Sequence, residues 1–137
     1  MHTMGKLTSI NYSNGAFNVA MLLLRVGSGV LLMSHGYDKL VHFATYRGKF
    51  MNFMGIGVTP SLSLAIFAEF FCSIFLVLGL FTRLAAIPLI INMSVALFIA
   101  HHGAVFGDGE KAALYLVCFV CLLLCGPGKA SVDGMIK

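Results

Sequence analysis

Four long apolar runs, set apart by short polar or glycine-rich breaks, dominate the chain. They span about residues 17–40, 62–81, 84–101 and 110–126. Each run is continuous, without the period-two alternation of a half-buried strand. A bilayer core is crossed by ~20 apolar residues in a helix. The first two runs have that length, the third has it with its flanks, and the fourth is marginal. Backbone polar groups in lipid must pair within the spanning structure, and four spans are too few to close an ordinary barrel. The pattern therefore predicts an all-α fold, an integral membrane four-helix bundle forming a single transmembrane domain over residues 1–137.

The breaks between runs follow turn chemistry. Gly55, Gly57 and Pro60 separate the first two runs. Leu80, Phe81, Thr82 and Arg83 form a tight turn before the third. Gly103, Gly107 and Gly109 precede the fourth, and Gly126-Pro127-Gly128 stops it. Pro88 falls inside the third run, where membrane helices tolerate a kink. Over about residues 42–59, Phe43, Tyr46, Phe50, Phe53 and Met54 recur at helical spacing, with Arg47 and Lys49 between them. That predicts a short amphipathic segment in the interface, able to lid the bundle. A plain connector is the competing reading.

Composition removes the soluble alternative. Apolar residues make up 59% and charged residues 10%, with mean hydropathy +0.95, against about 25% charged in soluble domains. The net charge of +4 is scattered over the ends of the runs, which fits membrane flanking and not a nucleic-acid surface. No short apolar core followed by a small-residue cleavage pattern opens the chain, so the first run is expected to stay as an anchor. Four spans put both termini on one side. Lys6, Arg83, Lys129 and Lys137 there balance Lys39, Arg47, Lys49 and Lys111 opposite. The positive-inside count is level, and cytoplasmic termini are the expectation.

Arg25 and Glu69 lie inside the first and second runs, where a charge costs ~2.5–3.5 kcal/mol on the insertion scale. Counted at ~1.5 Å per residue from the terminal side, Arg25 lies ~12 Å deep, Asn92 ~14 Å, Tyr115 ~17 Å and Glu69 ~18 Å. One polar group per helix then forms a single middle layer, with Arg25 paired to Glu69. The functional reading is a buried pocket for a quinone-like head group or a proton step. The structural reading is an ion pair that fixes helix register.

His35, His42, His101 and His102 fall at the far ends of the first and third runs, with Asp38, Asp108 and Glu110 at the same face. A proton relay, a metal or haem site and plain interfacial histidines all fit. No pair has the i,i+3 or i,i+4 spacing of a metal motif, so haem and metal are disfavoured. Cys118, Cys121 and Cys125 share one stripe of the fourth run. They lack a basic neighbour or helix N-terminus to activate them, so they read as small apolar side chains.

Several strings resemble the DoxX family of bacterial membrane proteins. They are Leu22-Leu23-Leu24-Arg25-Val26-Gly27, His35-Gly36-Tyr37-Asp38-Lys39-Leu40, Ala68-Glu69, the turn from Leu78 to Ala86, and Gly126-Pro127-Gly128-Lys129-Ala130-Ser131-Val132-Asp133. Together they cover about residues 19–133. The His101-His102 pair departs from the pattern. The resemblance implies a multi-pass protein of the bacterial inner membrane, since members include a subunit of a thiosulfate:quinone oxidoreductase and partners in other redox complexes. It points to Arg25, His35, Lys39, Glu69 and Arg83 as patterned polar positions.

Three functions follow as expectations. The first is a quinone-linked redox subunit, with quinone as cofactor bound by Arg25, Glu69, Asn92 and Tyr115, and with His35, Glu69 and His101 moving protons. No nucleotide, flavin or iron–sulfur motif is present, so electrons come from a partner protein in a membrane complex. The second is a non-catalytic anchor or assembly subunit. The third is a small carrier, which would fit self-association but shows no inverted repeat.

Overall fold

In a computed structural model, residues 7–136 are described. Lys6 and Lys137, which enter the charge balance between the two faces, lie outside them. The elements are α1 (Asn14–Val41), α2 (Phe43–Arg47), α3 (Val58–Leu78), α4 (Thr82–Ala100), α5 (Glu110–Cys125) and α6 (Val132–Ile136). No strand occurs among the described residues. At ~1.5 Å per residue, α1, α3, α4 and α5 are ~42, ~31, ~28 and ~24 Å long. The first three are long and apolar enough to cross a membrane. The fourth, at 16 residues, is shorter than a full span. The amphipathic segment is helical only over α2, with a further 3-10 turn at Phe53–Gly55.

The four long helices form a ring in which α1 packs on α3, α3 on α4, α4 on α5, and α5 more loosely on α1. The core between them includes Leu32, Cys72, Leu76, Leu89, Met93, Phe119 and Leu122. Polarity is reversed relative to a soluble bundle. Leu23, Leu31, Leu64, Phe71, Leu84, Ile91, Leu114 and Leu124 face outward, while Arg25, Ser28, Glu69, Ser73 and Thr82 are buried. Such a surface suits lipid and not water.

Local chemistry explains the helix ends. The Ser13 hydroxyl accepts from the Ala16 N–H at 3.0 Å and opens α1. Gly79 ends α3 in the left-handed region (φ 72°), and the Leu80 N–H donates to Phe75 O at 2.9 Å, a Schellman closure. Gly79 also needs to be small, because a Cβ there would lie 3.0 Å from the Arg25 guanidinium carbon. At α4 the missing local cap comes from afar. Asp133 accepts from the Phe81 and Thr82 N–H groups at 2.9 and 3.1 Å, which places a carboxylate on the positive end of the helix.

Candidate functional site

The closest approach of α1 and α3 sets the site. A Cβ on Gly36 would lie 2.6 Å from the backbone carbon of Glu69 and from the Phe70 nitrogen. The absence of a side chain there lets α1 lie directly against α3, as small residues do between membrane helices. One turn on, Lys39 reaches across, and its ammonium donates to Glu69 Oε1 at 2.5 Å. Asn92 of α4 donates to Glu69 Oε2 at 3.0 Å. Glu69 is 5% exposed, so both carboxylate oxygens need partners, and both have them.

Glu69 sits in a π-helical turn of α3, Phe67–Cys72, and α4 ends in another at Ala96–Ala100, directly before His101. Such turns shift the register of side chains and recur at functional sites. Between them lies a cavity of about 320 Å³ lined by His35, Lys39, Glu69, His101, Asp108, Lys111, Tyr115 and Leu32, among others. It holds ammonium, imidazole, phenol and carboxylate groups at one end of an apolar bundle. Tyr115 stacks on Phe119 with centroids 5.9 Å apart and takes the edge of His35 at 6.5 Å. His35, Lys111 and Tyr115 also line a second cavity of about 470 Å³, bounded by Leu23, Leu24, Leu31, Leu114 and Cys118. The polar cavity therefore shares His35, Lys111 and Tyr115 with an apolar groove between α1 and α5.

Outside the cavity, α2 folds back on the end of α1. Tyr46 donates to Asp38, whose other oxygen is 3.1 Å from His42 Nδ1. The Tyr46 ring lies 5.9 Å from the Lys39 ammonium and 4.9 Å from that of Lys49. The hydrogen bond to Asp38 holds the Tyr46 phenol above its usual pKa.

Five of the six sequence-predicted site residues meet here: His35, Glu69, His101 and Tyr115 line the cavity, and Asn92 joins through Glu69. Arg25 does not, and the expected Arg25–Glu69 pair is not formed. Arg25 lies ten residues before His35, ~15 Å along α1, at the level where α3 ends. Its guanidinium donates to Pro127 O at 2.7 Å and Ala130 O at 2.9 Å. The reason is register: α1 overhangs α3, and Asn18 in its second turn accepts from the Lys129 N–H at 3.0 Å. The single middle layer is thus two sites, Arg25 near the terminal end and Glu69 near the other. Asp108, expected at the histidine face, and Lys39, a position to which the family resemblance points, join the site, although the sequence reading assigns neither a contact to Glu69 or to the cavity. Lys111 reads in sequence only as a flank.

All four cysteines are free, and Cys118 faces the lateral groove. Among the described residues, no group of three or more histidine, cysteine or acidic side chains could hold a metal.

A protein of Haemophilus influenzae, described only as an uncharacterized protein, is 32% identical over 120 residues, which cover 82% of this chain and 87% of that one. No solved structure matches. The DoxX family model matches residues 20–102, a stretch that holds Arg25, His35, Gly36, Lys39, Glu69, Asn92 and His101, and the chain belongs to the DoxX family.

Proposed function

We propose that the chain is a quinone-linked redox subunit of a bacterial inner membrane, with its termini in the cytoplasm, working with a partner oxidoreductase. The observation that carries this reading is the adjacency of the two cavities, which have His35, Lys111 and Tyr115 as common walls. An amphiphile with a polar ring and an apolar tail needs such a shape: donors at one end, and a groove open to the bilayer for the tail.

The donor set fits a quinone ring. Two ring oxygens need N–H or O–H donors, and Lys39, Lys111, Tyr115, His35 and His101 supply more than enough. A bound quinone supplies the two-electron, two-proton couple, and the chain's residues bind it and move protons. Tyr115 and His35, in ring contact, orient a head group at the mouth of the groove. His101 is half-buried and Asp108 exposed, so a proton can pass from them to water. Lys39 and Asn92 each hold one carboxylate oxygen of Glu69 and so fix its orientation. The hydrocarbon wall of Leu24, Leu31 and Leu114 keeps water out of the lateral entry.

The test is quinone extraction and mass spectrometry from protein purified in mild detergent. Quinone should accompany the wild type and fall at least several-fold in His35→Ala and Tyr115→Phe, both folded. A wild type that carries no quinone, and takes up none from quinone-loaded vesicles, would sink the reading.

The anchor reading has one observation in its favour: Glu69 is fully satisfied by Lys39 and Asn92, as structural glue would be. It predicts that Glu69→Gln lowers recovery of a complex but leaves the turnover of recovered complex unchanged.

A further inference from the structure

The opposite end of the bundle carries a second cleft that the quinone reading does not use. It measures about 670 Å³ and lies between the start of α4 and the loop after α5, with Arg83 and Lys129 at its rim. Both are exposed, and neither has a carboxylate within ion-pair distance among the described residues. The one hydrogen bond of the Arg83 guanidinium among those residues is a long one, 3.4 Å to Leu124 O. Gly126 leaves its face open, since a Cβ there would come within 3.2 Å of Nε and Nη2. The one carboxylate among the cleft's lining residues, Asp133, is engaged by the Phe81 and Thr82 N–H groups. The cleft is therefore net positive. The Thr82 side chain is fully buried beneath the cleft floor, so the two cations at the rim are the groups open to a ligand.

A second feature says what the cations hold. Phe81 and Leu84 also line an apolar groove of about 290 Å³ between α3 and α4, walled by Phe75 and Pro88 and running away from the cationic rim. Phe81 adopts φ 51°, a left-handed backbone unusual for an aromatic residue, and lines both cavities. Cations at a helix end with a hydrocarbon groove beside them match the head and tail of a lipid.

We propose that this end of the bundle is a binding site for an anionic phospholipid. The phosphate rests on Arg83 and Lys129, and one acyl chain lies along the α3–α4 groove. Arg83 presents its donors in a fork suited to a phosphate.

Native mass spectrometry of the full chain tests this, with phosphatidylglycerol or phosphatidylcholine titrated into the detergent. The wild type should retain phosphatidylglycerol selectively. Removing each cation should weaken that retention roughly fivefold, so the double variant Arg83→Gln/Lys129→Gln loses about 25-fold. Leu84→Trp, which fills the groove and keeps both cations, should also lose the lipid while melting like the wild type. Equal retention of the two lipids, or retention unchanged in either variant, would overturn the proposal. So would displacement by millimolar inorganic phosphate, which would mark a free-anion site instead.

Discussion

Replacing Gly36 with alanine tests the contact on which the polar cavity rests. The added Cβ would lie 2.6 Å from two backbone atoms of α3, Glu69 C and Phe70 N, and 2.9 Å from Glu69 O. Ordinary contact begins at 3.4 Å, so α1 and α3 must part by about 0.8 Å or tilt. The obstacle is main chain, which cannot turn aside as a flexible side chain would. Overpacking of this kind costs about 1–3 kcal/mol. The parting falls three residues from Lys39, whose 2.5 Å bond to Glu69 must stretch by a similar amount.

A control on the same helix isolates that cost. A Cβ added to Gly27 would meet nothing within 4 Å. Both substitutions gain the same helix propensity, ~1 kcal/mol, and the difference between them leaves the packing term alone. Unfolding in mixed micelles, driven by a denaturing detergent and followed by circular dichroism, should place Gly36→Ala about 1–3 kcal/mol below Gly27→Ala. The Lys39–Glu69 coupling from a double-mutant cycle should also shrink in the Gly36→Ala background. Two variants of equal stability, within about 0.5 kcal/mol, would refute the close approach.

Other outcomes follow from the same geometry. Arg25→Met strips two charge-assisted hydrogen bonds from the returning loop and should cost about 3–5 kcal/mol; limited proteolysis should then cut near Lys129, and an uncut, unchanged variant would contradict the contact. Asp133→Ala removes the acceptor for two N–H groups of α4 and should cost about 1–2 kcal/mol, with faster hydrogen exchange at Phe81 and Thr82 as the readout. Tyr46 has a folded pKa raised chiefly by its bond to Asp38, so the contribution of that bond is present below the ordinary tyrosine value and lost as pH rises through the folded value. The tyrosinate absorbance of wild type minus Tyr46→Phe should accordingly titrate above ~10, and Asp38→Asn should bring it back down; a midpoint at or below the ordinary value would remove the bond.

The helices were legible because length and continuous apolarity decide them, and the end of α5 because Gly126 sits where an open turn must; the end of α3 was not, since the apolar run continues to Phe81 past the Gly79 that stops the helix. Depth was not legible, because counting from the ends of apolar runs assumes that all four helices start in one plane. Here α1 begins at Asn14 and overhangs, so a count from Phe17 places Arg25 too deep by about the height of the loop it meets. The π-helical turns leave no trace in periodicity, yet one of them aims Glu69 at Lys39. The pairing rule also misled. Opposite charges in neighbouring spans suggest each other, but a guanidinium carries five donors and is satisfied as well by carbonyl oxygens. Gly126-Pro127-Gly128, read in sequence only as a stop, turns the chain back across the bundle end and brings Pro127 O and Ala130 O to Arg25. A buried arginine in a short membrane chain should therefore be weighed against the nearest returning loop as well as against the nearest acid. Lys39, eight residues nearer the end of α1 than Leu31, shows the complementary case: an ammonium classed as interfacial can reach inward once a glycine lets its helix close on the next.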